Sequence, residues 1–167
     1  MKTHFFALLC LLAISACDSG GVDGEPLNTE SPCADVPRGS VAPVDAWVRA
    51  APEGRDLSAA YFILCNQSAA ARNIVGVEAS IARAAELHET TRDRDGVATM
   101  APVDEIALAP GAAAAFEPGG AHVMLIGLNS PIAPGDKVGI TLQFEDGGTM
   151  AIDATARDAA GGGHGHH

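Results

Sequence analysis

The chain has 167 residues, with 10 Lys and Arg against 21 Asp and Glu and a formal charge of −11. That length suits a single domain, and charge of this sign repels phosphate backbones and anionic headgroups, which excludes a nucleic-acid binder or a polybasic membrane module. Hydrophobic residues make up 47% of the chain but aromatics only 4%, so small aliphatic side chains must fill the core.

Lys2 and the apolar run from Phe5 to Ala16 read as an export signal, because twelve apolar residues are too few to span a bilayer as a helix. The run ends in Ile14-Ser15-Ala16-Cys17, which resembles the lipobox of bacterial lipoproteins. That resemblance implies that residues 1–16 are a signal peptide and that Cys17 is acylated; the alternative is an ordinary signal cut near Ala16 with no lipid, since Ser15 and Ala16 suit either peptidase. The expected location is the periplasm, with the membrane contacted only through the lipid. Export permits disulfides. Cys10 leaves with the signal and Cys17 carries lipid, so Cys33 and Cys65 remain as the pair to be bridged. A loop of that length restricts the unfolded chain by roughly 3–4 kcal/mol.

Residues 17–40 are rich in Gly and Pro and poor in large apolar side chains, the composition of a flexible tether. Beyond them, short runs of period-two alternation predict strands at Ala46–Ala50, Ala59–Cys65, Arg72–Glu78, Ala85–Thr91, Val97–Ala101, Ala112–Glu117, His122–Leu128, Lys137–Glu145 and Thr149–Ala156. Pro-Gly pairs at 110, 118 and 134, Asp95-Gly96 and Asp146-Gly147-Gly148 punctuate them. The one helical turn expected lies around Ser80–Ala85. The pattern is all-β, an antiparallel sandwich or barrel over 41–157. Residues 158–167 form a Gly-rich tail with His164, His166 and His167, a tract able to chelate Cu(II), Ni(II) or Zn(II).

Once signal and tail are set aside, the domain body keeps two histidines, His88 and His122, and three methionines. Alternation puts Met150 on the inward face of the last strand, as core. His122 and Met124 are two residues apart in one strand and so share a face. His88 and Met100 lie on strands joined by Asp93-Arg94-Asp95-Gly96, and a tight hairpin there sets Met100 opposite His88 or one place diagonal to it. Neutral imidazoles with soft, uncharged thioethers, and with neither thiolate nor carboxylate, suit Cu(I) rather than Zn(II), Mg(II) or Ca(II).

The spacing of His88, Met100 and His122-x-Met124 resembles the copper motif of the PCu(A)C family of periplasmic copper chaperones. The likeness extends over Val41 to Ala156 and includes Asp45-Ala46-Trp47-Val48-Arg49-Ala50, Ala60-Tyr61-Phe62 with Asn66, Glu86-Leu87-His88-Glu89 and Pro118-Gly119-Gly120-Ala121-His122-Val123-Met124. It implies a cupredoxin-like Greek-key β-barrel and a His88/Met100/His122/Met124 copper site. It also implies delivery of Cu(I) to the CuA centre of cytochrome c oxidase, through its subunit II or another copper chaperone. The lipobox-led tether and the His-rich tail depart from the simplest family pattern; the tail permits a second, Cu(II), site.

Two rival classes are weighed on the same residues. A blue-copper electron carrier needs a Cys beside two His, and no Cys follows Cys65. An immunoglobulin-like structural or interaction lipoprotein would leave the four residues incidental. The body holds no nucleophile elbow, His-x-x-x-His pair or phosphate loop, so an enzyme is not expected.

Overall fold

The computed structural model describes residues 31–158. The expected signal peptide, Cys17, the first part of the expected tether and the three tail histidines lie outside the described residues. Nine strands follow in chain order: β1 Val41–Arg49, β2 Leu57–Asn66, β3 Ile74–Glu78, β4 Ala82–Arg92, β5 Ala98–Pro102, β6 Ala113–Phe116, β7 Ala121–Leu128, β8 Lys137–Phe144 and β9 Thr149–Arg157. They hydrogen-bond in the order β3-β8-β9-β1-β2-β6-β7-β4-β5, and β2 also pairs with β7. β2 is the pivot of this topology: its first half, from Leu57 to Ala60, pairs with β7, and its second half, from Phe62 to Cys65, pairs with β6.

Alternation decides which side chains meet inside. Val138, Ile140, Leu142 and Phe144 of β8 are buried and join Val48, Phe62, Leu64, Val123, Leu125, Ile152 and Ala154 in one apolar core. Phe62 and Phe116 stack with ring centroids 4.3 Å apart. Met150 packs against this core from β9. With few aromatics available, close contact among β-branched and leucine side chains supplies the density.

Three expectations change. Ser80 and Ile81 form a plain turn and β4 begins at Ala82, so the helical turn is absent there. Ala82, Ala84 and Ala85 pair with Leu128, Ile126 and Leu125 of β7, and that long-range ladder overrides the helix propensity of alanine. The sheet is also not wholly antiparallel: β1 runs parallel to β9 and β6 parallel to β7. The first pair brings the first and last strands side by side, which a simple meander would not do. Finally, Ser31 to Ser40, read as the end of a flexible tether, lies against the domain. Cys33 is bonded to Cys65 with Cα atoms 5.6 Å apart, and Cys33, Val36 and Cys65 form a small second core with Ala42, Val44 and Ile63. Gly39 donates to the Gln67 carbonyl and Gln67 to that of Ser40, which anchors the segment.

Candidate metal centre

The face of the sheet opposite the main core carries the histidines. In β7, Val123 and Leu125 are turned to the core, so His122 and Met124 point the other way. In β4, Leu87 is in the core and His88 is therefore outside. The β4–β7 register sets His88 directly across from His122, and Glu86 across from Met124. The two imidazole centroids are 5.8 Å apart.

The hydrogen bonds of each ring fix which nitrogen is free. His122 Nδ1 lies 3.1 Å from the Gly120 carbonyl oxygen; a carbonyl only accepts, so Nδ1 carries the proton and Nε2 the lone pair. His88 Nε2 lies 2.9 Å from Glu86 Oε2, so Nε2 is the donor there and Nδ1 the lone-pair atom. Both lone-pair atoms, His122 Nε2 and His88 Nδ1, are buried and have no protein partner. A buried polar atom without a partner costs about 1–3 kcal/mol, and two such atoms on facing residues are chemically able to hold something that accepts nitrogen lone pairs. An imidazole whose far nitrogen is held by a carboxylate or carbonyl is also the usual arrangement of a metal-binding histidine.

Glycine chemistry supports the first of these bonds. The turn Pro118-Gly119-Gly120 that presents the Gly120 carbonyl has Gly119 at φ 87°, where a side chain would be strained. A wall of stacked side chains supports the same ring. Tyr61, 4% exposed, lies 6.3 Å from the His122 ring by centroids and 4.4 Å from Trp47. A bulge in β1 between Val44 and Trp47 places that indole over the tyrosine, with Asp45 at φ 51° and bonded to Arg157 at 2.6 Å. Burial raises the Tyr61 pKa, and Arg49, whose guanidinium donates to the phenol oxygen at 3.2 Å, pulls it the other way.

Met124, His122 and Met100 all line one groove of about 770 Å³ on this face, together with Tyr61 and Thr90. In the β4–β5 hairpin, Met100 is opposite Thr90 and His88 is opposite Pro102. Met100 is thus diagonal to His88, on the same face, and one strand farther from His122 than His88 is. It is 53% exposed, whereas His122 is 3% exposed. The four residues therefore form a buried imidazole facing a partly buried one, a half-buried thioether on the same strand as the first, and an exposed thioether on the outermost hairpin. Among the described residues no three His, Cys, Asp or Glu side chains converge on a common point; the soft donors on this face beside the imidazoles are the thioethers of Met124 and Met100.

In sequence Glu86 and Glu89 both flank His88 as candidate partners, but a carboxylate beside an imidazole on an exposed strand is more often just solvated, and Gly120 carries no signal of an orienting role. Glu86 was detectable as the residue two before His88 on the same strand face, but only the ion-pair geometry distinguishes it from Glu89. Nothing local distinguishes the Gly120 carbonyl from other turn carbonyls.

A nine-stranded β domain with this cross-strand site is cupredoxin-like and of the PCuAC type. The copper-bound PCuAC domain from PmoF2 superposes with a TM-score of 0.59 at 25% identity, over 73% of this chain and 96% of that domain. The solution structure of apo-DR1885 from Deinococcus radiodurans gives 0.57 at 28% identity over 95% of this chain and 98% of that one, and CuI-DR1885 gives 0.54 at 32% over 75% and 81%. In sequence, the chain belongs to the LpqE-like family, described as "Putative lipoprotein LpqE-like", which it matches over residues 41–156. A relative described as "Putative lipoprotein Lxx21020", from Leifsonia xyli subsp. xyli (strain CTCB07), is 34% identical over 117 residues, covering 70% of this chain and 69% of that protein.

Proposed function

We propose that this protein is an exported copper metallochaperone, a carrier rather than an enzyme, that holds one Cu(I) through His88, His122, Met124 and Met100. The carrying observation is the pair of buried, unpartnered nitrogens, His88 Nδ1 and His122 Nε2, on directly opposed residues. Support comes from the soft thioethers beside them and from the copper-bound state of the PmoF2 domain and of DR1885. A purely structural lipoprotein would leave two desolvated imidazole nitrogens unexplained.

The donor set suits transfer. Neutral imidazole and thioether bind Cu(I) without losing a proton, so an incoming thiolate displaces them with no proton uptake at this end. Met100, exposed on the hairpin, is the ligand placed to leave first, while the less exposed histidines hold the ion until the receiver's donors are in place. The receiver in this reading is the CuA centre of cytochrome c oxidase subunit II or a second copper chaperone. His164, His166 and His167 form a separate Cu(II)-capturing site. The lipoprotein names of the family and of the Leifsonia relative support export and anchoring through an acylated Cys17 in the periplasm.

The test is anaerobic Cu(I) titration against a competing chelator. The wild-type domain should bind one Cu(I), and His122→Ala and Met100→Leu should each weaken it. Wild-type affinity in both variants removes the reading. Deleting Gly161 to His167 should lower Cu(II) uptake and leave the single Cu(I) in place; unchanged Cu(II) uptake rules out the tail site.

A further inference from the structure

The sheet ends in two edges, β3 and β5. The β3 edge is occupied in part, since Ile74 and Ile106 exchange backbone hydrogen bonds of 2.9 Å. Among the described residues β5 pairs with β4 alone, and all five of its residues are exposed. Natural edges are commonly blunted with lysine, inward charges or proline. The run Ala98-Thr99-Met100-Ala101-Pro102 carries no charge, and its proline stands at the last position only. Val97, just before the strand, is an exposed apolar residue as well, at 58%.

The hydrogen-bond phase of the hairpin sharpens this. Asp93 donates to the Val97 carbonyl and Val103 to that of Leu87. Hydrogen-bonded pairs alternate along an antiparallel ladder, so within the β4–β5 register Thr91/Thr99 and Glu89/Ala101 are the bonded pairs. Thr90, opposite Met100, gives its N–H to Gly120 on the β7 side instead, which agrees with this phase. The backbone N–H and C=O of Ala98 and Met100 consequently point outward from the sheet. One residue, Met100, thus offers a free backbone donor and acceptor along the edge and a thioether on the face that carries the histidines.

Resting on the copper reading above, we propose that β5 is the docking edge for the exchange partner. An extended segment bearing a soft donor, Cys or Met, adds to β5 as a transient antiparallel strand. Backbone bonds to Ala98 and Met100 hold it, and its donor is brought beside the Met100 sulfur. Main-chain pairing supplies recognition, as in other strand-addition complexes, and the thioether supplies the path of the ion. The choice of occupant follows from area. Five residues of edge bury far less than the roughly 1,200–2,000 Å² of a stable interface, so the contact suits a brief encounter rather than a lasting dimer of this chain.

Two measurements test this, one of them without copper. A synthetic peptide of alternating threonine and valine with one central serine, added at millimolar concentration to the wild-type protein, should slow amide exchange at Ala98 and Met100. Thr99 and Ala101, already bonded to β4, should not change. No slowing at Ala98 and Met100 overturns the proposal, and so does protection that appears with protein concentration alone, since the occupant is then a second copy. For transfer, the same peptide with a central cysteine should take Cu(I) from the protein roughly 2- to 10-fold faster than a version with prolines flanking the cysteine, the range expected from one net hydrogen bond. Ala98→Pro, which removes an outward N–H and leaves the β4 ladder intact, should abolish that advantage, and Ala98→Ser should keep it. Equal rates for the two peptides on wild-type protein overturn the docking edge. Cu(I) titration of Ala98→Pro separates the two ideas: wild-type affinity with a lost rate advantage supports docking, whereas a wild-type chain that fails to bind Cu(I) sinks the copper reading and leaves the amide-exchange result to judge the edge alone.

Discussion

His88 and His122 stand directly opposite one another across the β4–β7 ladder, and each has one ring nitrogen committed to a protein acceptor and the other buried without a partner. The pairing is asymmetric: His88 presents Nδ1 and His122 presents Nε2. Its consequences can be checked one residue at a time.

Glu86 holds His88 by its far nitrogen at 2.9 Å. Replacing the orienting partner of a metal-binding histidine typically lowers metal affinity by about 10–100-fold. Glu86→Ala should therefore weaken Cu(I) binding within that range without unfolding the domain, because the carboxylate is on the exposed side of β4. Competition titration with the purified variant is the check; wild-type affinity would show that the ring keeps its orientation without the carboxylate.

The disulfide and the site share a face of β2 but lie at different points along it: Met124 pairs with Ala59, and Cys65 is six residues farther on. Cys33→Ser with Cys65→Ser should cost about 2–4 kcal/mol of stability through the freed unfolded chain. Copper affinity should be retained. Denaturant unfolding with parallel Cu(I) titration tests the separation, and a joint loss would mean that residues 31–40 brace the site.

Asn66 is fully buried. Its amide donates to the carbonyls of Ala70, Leu108 and Ala109, and its side-chain oxygen accepts from the backbone and hydroxyl of Ser68. Asn66→Ala strands several of these groups, at least partly away from water, and should destabilise by about 2–3 kcal/mol. The midpoint of thermal or chemical unfolding reports it. A change below about 0.5 kcal/mol, the range of ordinary surface substitutions, would mean that water replaces the amide.

Tyr61 is the single tyrosine of the chain, and burial raises its pKa above the ordinary tyrosine value of 10.0. Above the unfolded pKa the unfolded chain loses this proton before the native one does, so the native state binds more protons and stability falls as pH rises. The contribution is fully present below pH 10 and is lost as pH climbs through the folded value. Tyrosinate absorbance should therefore appear late in an alkaline titration of the native protein and earlier in denaturant. Tyr61→Phe should flatten the alkaline side of the stability profile.

The strand content was legible because it is written in period-two alternation. Lys137 to Phe144 shows it most plainly, and each of the nine expected runs corresponds to a strand. The turn at Ser80 was misread because alanines favour a helix locally, while their pairing with β7 is long-range and invisible in a window of a few residues. The Asp45 bulge and the packing of Val36 against Cys65 escaped for the same reason.

By itself the sequence determined the all-β class, the pairing of Cys33 with Cys65, and the sharing of a face by His122 and Met124, because these depend on alternation within one strand or on counting a scarce residue. Only the tertiary structure decided that His88 meets His122, that Glu86 and the Gly120 carbonyl choose the free nitrogens, and that Met100 stands exposed on a bare edge. Those facts depend on the register between strands distant in sequence. Register is set where Leu87, Val123 and Leu125 bury against the core, not by the ligand residues themselves.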